Sequence, residues 1–134
     1  MSLSVTQFGK PLPKEKYTWN KKTKVFSSKE EHLIIQCYVK NTTFNTGSRC
    51  TFNAGFDCIF KTGSNCIFNT GRGCTFKTGS NCIFKTGSAS TFTTGASCVI
   101  IRIDTFELIE IPKETTIKLN NYRIKGFTKI NNKN

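Results

Sequence analysis

The sequence is poor in the residues that most enzymes use for catalysis. It has one His (His32), one Met and 8 acidic side chains in 134 residues. A catalytic imidazole must be paired with a nucleophile and oriented by a third group, and the sequence has no GxSxG, P-loop or GxGxxG pattern. We therefore interpret His32 as an ordinary exposed or half-buried residue. We expect a protein that is not an enzyme, with no cofactor and no small-molecule substrate.

Long apolar runs are also missing. The chain has no stretch of about 18 apolar residues, so the sequence predicts no membrane span. The first residues, MSLSVTQFGKPLPKEK, have no apolar core segment, and we expect no secretory signal there. A length of 134 residues is sufficient for one domain with a modest core.

An eight-residue repeat dominates what the sequence does contain. Seven octads of the pattern CxFxTGxx follow one another from Thr42 to Ser97. Thr42 opens the first octad and Ser90 the last, where the others have Cys. Such a perfect register is typical of repeat architectures, in which each unit buries its apolar residues against its neighbours.

Each octad predicts a short strand followed by a corner. Cys, Phe and Thr alternate with variable positions, which is the period of a strand with Cys and Phe on one face. The strand should end at the octad Gly, because Gly adopts positive φ without a Cβ penalty. The Asn residues that follow several of these Gly also tolerate that region.

The predicted fold class is all-β, a flattened β-solenoid with two octads per coil and β caps at both ends. Alternate octads would form two parallel sheets, with strands about 4.8 Å apart and sheets about 10 Å apart. The Phe rings of the two sheets should meet near the centre, and each Cys should face the Thr end of the opposing strand. Two other closures remain open. One is a triangular coil of three octads, and the other is an intertwined trimer whose three chains share one axis.

The segments on either side of the repeat are predicted to cap the solenoid, since exposed sheet ends promote aggregation. We expect a flexible basic arm over 1–16 and an N-terminal β cap over 17–41, with a YTWN–VFSS hairpin and the strand HLIIQCYV. The solenoid proper covers 42–97. A C-terminal β cap with a disordered NNKN tail covers 98–134, with a two-residue hairpin turn at Asn120-Asn121.

These motifs carry a resemblance to a group of proteins. The CTFKTG and CIFKTG octads, YTWNKKTKVFSS upstream and CVIIRIDTFELIEIP downstream resemble octapeptide-repeat β-solenoid proteins encoded by large double-stranded DNA viruses of protists. The resemblance extends from about Tyr17 to Phe127. It implies a viral origin and a β-solenoid fold, and it identifies no catalytic residues. Thr42 and Ser90 depart from the pattern.

The octad Cys residues are predicted to be reduced thiols that fill the core. The chain has 7 Cys, an odd number, and no CxxC pair of the kind that zinc sites use. Stacked Cys lie near enough for disulfides, but their side chains run alongside each other. Disulfides and adventitious binding of soft metals remain alternatives. Reduced thiols imply an intracellular, reducing compartment, which for a viral protein is the host cytoplasm or the virion. The predicted core ladder consists of Cys50, Cys58, Cys66, Cys74, Cys82, Cys98, Phe44, Phe52, Phe60, Phe68, Phe76, Phe84 and Phe92.

The positive charge predicts an anionic partner or a solvated surface. The net charge is +12, and it is spread along the chain. Stacked cations on one sheet repel each other, which a polyanion would relieve. Nucleic acid held through its phosphates, without base reading, is the candidate partner. The candidate anion-binding residues are Arg49, Lys61, Arg72, Lys77 and Lys85.

The outward positions of alternate octads predict an aliphatic stripe. Ile67, Ile83 and Val99 would stack on one sheet, with Ile101 beside them. A contiguous exposed apolar surface usually marks a contact. We therefore expect self-association, with a dimer favoured, or the docking of a terminal strand. On this basis we expect a non-catalytic structural or interaction module, and non-specific nucleic-acid binding is the alternative.

Overall fold

The computed structural model describes residues 3–112 and 115–130 and is an all-β solenoid of about 5 turns. One 3-10 turn, Lys14–Lys16, accompanies the strands. In chain order the strands are β1 Leu3–Gln7, β2 Lys10–Pro11, β3 Thr18–Asn20, β4 Val25–Ser27, β5 Leu33–Cys37, β6 Thr43–Asn45, β7 Thr51–Ala54, β8 Ile59–Lys61, β9 Ile67–Asn69, β10 Thr75–Lys77, β11 Ile83–Thr86, β12 Thr91–Thr93, β13 Val99–Arg102, β14 Glu107–Glu110, β15 Thr116–Leu119 and β16 Phe127–Ile130.

The strands form two sheets of eight. Sheet A has the order β14-β13-β11-β9-β7-β5-β1-β2, and sheet B has the order β16-β15-β12-β10-β8-β6-β4-β3. Within the repeat, strands from alternate octads pair in parallel and in register, as Phe52 with Phe68 and Phe60 with Phe76 show. One coil therefore consumes two octads, as the sequence predicts.

Two columns of Phe rings form the core. Within each sheet the rings of successive coils stack, with centroids 4.9–5.0 Å apart. Across the sheets the rings meet edge to face, at 4.8–5.5 Å. All seven octad Phe are 0% exposed. Burial of each ring stabilises the fold by ~1.5–3 kcal/mol before chain entropy is counted, and the ring geometry adds to this.

The octad Cys residues complete the interior just before their strands begin, and Cys37 does so at the end of β5. All seven are buried and none forms a disulfide. The thiols of Cys66 and Cys82 lie 3.7 Å from the carbonyl oxygens of Gly47 and Gly63 in the previous coil. In the last octad Ser90 occupies the Cys position, and its hydroxyl lies 3.2 Å from the hydroxyl of Thr86, which ends β11 of the opposing sheet. The predicted contact between this octad position and the Thr end of the opposing strand is confirmed there.

The octad Gly has a different role from the predicted one. Positive φ occurs at the last octad position, for example 59° at Arg49 and 60° at Asn65, and not at the repeated Gly. The Gly is needed for close stacking, since a Cβ on Gly63 would lie 3.0 Å from the backbone N of Ser48 in the previous coil and would collide with the Ser48 hydroxyl. Sterics between coils, rather than the turn dihedral, select glycine here.

Two lines of corners connect the sheets. The first corner, over 46–49, 62–65, 78–81 and 94–97, leads from sheet B to sheet A, and the second corner, over 55–57, 71–73 and 87–89, leads back. A serine ladder holds the first corner together. The Ser48 Oγ accepts a hydrogen bond from the Ser64 N–H at 3.0 Å, and the Ser64 Oγ accepts one from the Ser80 N–H at 2.9 Å.

The N-terminal segment is folded into the solenoid. Strand β1 pairs antiparallel with β5 along its whole length, and Leu3, Val5 and Leu12 are buried. Residues 3–16 are therefore not the flexible arm that the sequence predicts. Alternation of Leu3 and Val5 with polar residues gives β1 one apolar face, which sheet A buries at its end. The predicted hairpin is present as β3 and β4, and Trp19 packs partly buried against the core.

The C-terminal segment forms two hairpins, β13–β14 and β15–β16. The predicted two-residue turn at Asn120-Asn121 is wrong, because β15 ends at Leu119 and β16 begins at Phe127. The loop 120–126 between them is long because it wraps around a buried arginine. The predicted disordered tail, 131–134, lies outside the described residues.

That arginine, Arg102, is 0% exposed. Its guanidinium donates two hydrogen bonds to the Asp104 carboxylate, at 2.7 and 3.0 Å. It also donates to the backbone carbonyls of Asn120, Asn121 and Ile124, at 2.7–2.8 Å. Because five donors in a fixed planar fork are satisfied at once, one side chain orders the whole loop.

Candidate interaction surfaces

The predicted aliphatic stripe is present on the outer surface of sheet A. Ile67 pairs with Ile83 and Ile83 with Val99, so that their side chains stack in one column. Ile67, Ile83 and Ile101 are 48%, 42% and 41% exposed, and Val99 is half-buried. The structure brings these four predicted residues together on one surface.

A fifth apolar residue, Leu108, extends the stripe. Strand β14 folds back on β13 and places Leu108 opposite Ile101, where it is 72% exposed. The sequence analysis did not identify this residue, because it predicts no hairpin within CVIIRIDTFELIEI. The signal that could have identified Leu108 is the short strand-forming segment ELIE, in which neighbouring side chains point to opposite surfaces of the sheet. The apolar face is defined here as Ile67, Ile83, Val99, Ile101 and Leu108.

The apolar face carries balanced charge. Lys85 lies beside Ile101 in the register, and Glu110 lies beside Val99. Both side chains are exposed. Among the described residues of β9, β11, β13 and β14 that share this outer surface, these two are the charged ones, and their charges cancel.

The predicted anion-binding residues are spread over several surfaces. Lys61 and Lys77 pair in register and are exposed on the outer surface of sheet B, as predicted. Lys85 is on sheet A, on the opposite side of the molecule. Arg49 is at the first corner, where its guanidinium lies 3.0 Å from the Glu31 carboxylate. The set is therefore not one continuous patch.

A groove next to Lys61 adds cations that the sequence analysis did not identify. It has a volume of about 640 Å³ and runs between the 3-10 turn and the first coils of sheet B. Three cations, Lys16, Lys29 and Lys61, and one acid, Glu15, line it, together with Tyr17 and several hydroxyl groups. The signal was hidden because the segment containing Lys16 was expected to be a loose arm. Together with Lys77, these lysines form the basic face: Lys16, Lys29, Lys61 and Lys77.

Arg72 lies at the second corner, apart from the basic face. Its guanidinium lies 5.5 Å from the ring centroid of Phe56, which is itself 52% exposed. A cation at this distance over a ring face is attracted by the ring quadrupole. The second corner thus combines a cation with an exposed aromatic ring.

The thiols have the geometry of a packed interior. A hydrogen bond from Cys66 lowers the pKa of Cys50 to about 7, and the same bond raises the pKa of Cys66. Burial is the main cause that raises the pKa of Cys37 and of Cys98. Thiol reactivity needs both a thiolate and access to solvent. All seven are buried, so the arrangement suits a space-filling role. Among the described residues no group of three or more Cys, His, Asp or Glu is arranged to hold a metal ion.

His32 lies at the entrance of β5. It is exposed, has a φ of 61°, and its ring centroid is 5.3 Å from that of Phe8. The neighbouring carboxylates are engaged elsewhere: Glu31 pairs with Arg49, and Glu30 lies 3.9 Å from the Lys16 ammonium.

Comparisons of the chain with protein-family models, with curated proteins and with solved structures find no match. Within the described residues, no helix has the length and apolar character needed to cross a bilayer. The surfaces of the solenoid are therefore the guide to what the protein does.

Proposed function

We propose that this protein is a non-catalytic β-solenoid module that self-associates through the apolar face, with a dimer as the favoured state. The observation that carries the proposal is the exposed, in-register column of Ile67 and Ile83, continued by Ile101 and Leu108. Removal of such aliphatic surface from water stabilises a contact in proportion to the apolar area buried.

Charge supports a second copy of the chain as the occupant. A molecule with a net charge of +12 repels its copies at most of its surface. The apolar face is neutral because Lys85 and Glu110 offset each other. In a two-fold contact each side chain of this pair can face its opposite on the partner.

The apolar face is small for a protein interface. Its four strands, spaced ~4.8 Å apart, span about 15 Å across the sheet. A standard interface buries ~800 Å² on each partner, and interfaces below that size belong to weaker, transient complexes. We therefore expect a reversible association that depends on protein concentration.

The test is sedimentation equilibrium of variants over a range of concentrations. Ile83→Lys and Leu108→Lys each place a charge in the apolar face and should shift the protein to monomer. Ile59→Lys is the matched control, because Ile59 occupies the same octad position on sheet B and is 39% exposed against 42% for Ile83. A wild-type protein that is monomeric at every concentration, or equal loss of mass in the control, would contradict the proposal.

Non-specific polyanion binding is the second candidate function. It is favoured by the basic face, where Lys61 and Lys77 stack in register beside the groove that holds Lys16 and Lys29. A phosphate backbone would relieve the repulsion between the stacked ammonium groups and release counterions.

Salt-dependent binding of double-stranded DNA tests this candidate. The Lys61→Gln/Lys77→Gln variant should bind more weakly, and the slope of log affinity against log salt should fall by about 1–2. Lys85→Gln, which removes one Lys from the opposite sheet, should change the slope less. Equal slopes in the wild type and the double variant would rule out the basic face as a phosphate site.

The resemblance of the octads to repeat proteins of large DNA viruses supports, as part of the same proposal, a viral origin. The buried reduced thiols are consistent with a reducing compartment as the place of folding.

A further inference from the structure

We propose that the second corner is a binding site for single-stranded nucleic acid, which stacks bases on Phe56 and Tyr122 and places phosphates against Arg72 and Arg123. This site is separate from both the apolar face and the basic face, and it goes beyond the functions proposed above. Four observations carry it: a local departure from the repeat, the position of the rings, the shape of the groove, and the charge.

The departure from the repeat is at the seventh octad position. At the first corner Ser48, Ser64 and Ser80 occupy this position, and their hydroxyls accept hydrogen bonds from the next coil. At the second corner the equivalent residues are Phe56, Arg72 and Ser88. Two successive copies of this corner therefore expose a ring and a guanidinium in place of the serine hydroxyl.

The ring of Phe56 packs against the next coil. A Cβ on Gly71 would collide with the ring carbons Cδ1 and Cε1 of Phe56, so this edge of the ring lies directly on Gly71. The Arg72 guanidinium lies 5.5 Å from the ring centroid. The ring is nevertheless 52% exposed, which leaves surface for a second flat group.

A second ring with a guanidinium faces the same groove. Tyr122 is 61% exposed, and the Arg123 guanidinium lies 5.2 Å from its ring centroid. Both residues are in the loop 120–126. The Arg102 guanidinium holds this loop in place by donating hydrogen bonds to the loop's backbone carbonyls. The site is therefore built on an ordered loop.

The groove between the rings has the size for a flat ligand. Its volume is about 310 Å³. Phe56, Arg72, Ile103 and Tyr122 line it, together with the small residues Gly71, Gly87 and Ser88. Small lining residues let a planar group approach the backbone closely.

The charge around the groove is positive. Lys40, Arg72, Arg123 and Lys125 are exposed on this side of the coils or in the adjoining loop. Asp57 opposes them. Asp104 also lines the groove, but it is paired with Arg102 at 2.7 Å. Aromatic platforms next to cations are the arrangement that binds single strands, since every base has a face that can stack and every nucleotide carries a phosphate. A duplex hides those faces.

The test compares two probes with equal phosphate charge. Fluorescence anisotropy with labelled oligo-dT and with an abasic oligomer of the same length separates stacking from charge. We expect Phe56→Ala and Tyr122→Ala each to weaken oligo-dT binding about tenfold and to leave abasic binding unchanged. Phe8→Ala is the matched control, because Phe8 is 75% exposed and lies near His32 at the opposite edge of the sheets. It should change neither.

Gly71→Ala tests the position of the ring without removing any aromatic or charged group. It should displace Phe56 and weaken oligo-dT binding in the same direction, with thermal unfolding confirming that the variant is folded. Equal binding of oligo-dT and the abasic oligomer, tighter binding of duplex than single strand, or loss confined to the Lys61→Gln/Lys77→Gln variant would overturn the proposal. So would a Phe56→Ala variant that changes only the oligomeric mass, which would assign the corner to a protein contact. None of these results depends on whether the apolar face self-associates.

Discussion

Arg102 shows how much of a β cap can depend on one side chain. A fully buried guanidinium is tolerated because its hydrogen bonds are satisfied by one carboxylate and by carbonyls of the loop 120–126. Glu107 adds a second carboxylate 3.7 Å away. The backbone polar groups of the loop are satisfied in return, which is why the loop can be long and still ordered.

Replacement of Arg102 should therefore destabilise the protein strongly. Arg102→Met removes the guanidinium donors from the Asp104 carboxylate, which keeps the Arg123 N–H, and from the carbonyls of the loop. We expect the free energy of unfolding to fall by about 3–5 kcal/mol. Chemical denaturation measures it. Arg102→Met/Asp104→Leu is the control, because removal of both charges should recover part of the loss. A single variant as stable as the wild type would contradict this role of the ion pair.

The repeated glycine was predicted for a reason that the structure corrects. The sequence shows that Gly recurs at a fixed position, but not whether a dihedral or a neighbour requires it. The neighbour of Gly63 is Ser48 in the previous coil, and this contact exists only once the number of octads per coil is known. The prediction that the corner Asn residues tolerate positive φ is confirmed at Asn65 and Asn81, but Arg49 and Ala89 adopt the same conformation without that sequence signal.

The C-terminal hairpins contain a carboxylate, that of Asp104, whose ionisation makes their stability depend on pH. Burial raises the pKa of Asp104, but hydrogen bonds from the Arg102 guanidinium and from the Arg123 N–H outweigh it and hold the pKa below its usual value. The unfolded chain therefore binds this proton more readily than the folded one. The stabilisation is present above the ordinary Asp pKa of about 3.9 and is lost as the pH falls through the lower, folded value.

We expect the contribution of Asp104 to the thermal unfolding temperature to be constant from neutral pH to about pH 5 and to decrease below about pH 4. The Asp104→Asn variant should show a lower temperature at neutral pH and a shallower acid decline than the wild type. Glu15→Gln, a change at an exposed carboxyl group, is the control. An acid decline as steep in Asp104→Asn as in the wild type would show that other groups are responsible.

The repeat strands were predictable because each octad has the same alternation of apolar and variable residues. Every copy therefore supports the same strand position and the same register. The flanking strands were harder. Strand β1 has only Leu3 and Val5 as its apolar face, and its pairing with β5 is a contact between distant segments. The conformation of the long loop 120–126 depends on Arg102, and the local sequence of the loop does not indicate that this arginine binds it.

At the scale of the whole molecule, the two faces of the solenoid differ although the octads are alike. Sheet A presents the apolar face, and sheet B presents Lys61 and Lys77 at the corresponding level. The sequence predicted both the two sheets and most of these residues, since assignment of alternate octads to opposite sheets fixes which residues share a surface. Leu108, the basic groove and the site at the second corner could not be predicted, because hairpins and corners bring together residues that are distant in the sequence.

The most direct test of the central claim is site-specific cross-linking between copies. The seven native thiols are buried, so they form a silent background for a single added surface Cys. Under mild oxidation, the Ile83→Cys variant should form a covalent dimer at concentrations where the Ile59→Cys variant stays monomeric. Equal cross-linking of the two variants, or none in either, would contradict the assignment of the apolar face as the surface through which the protein self-associates.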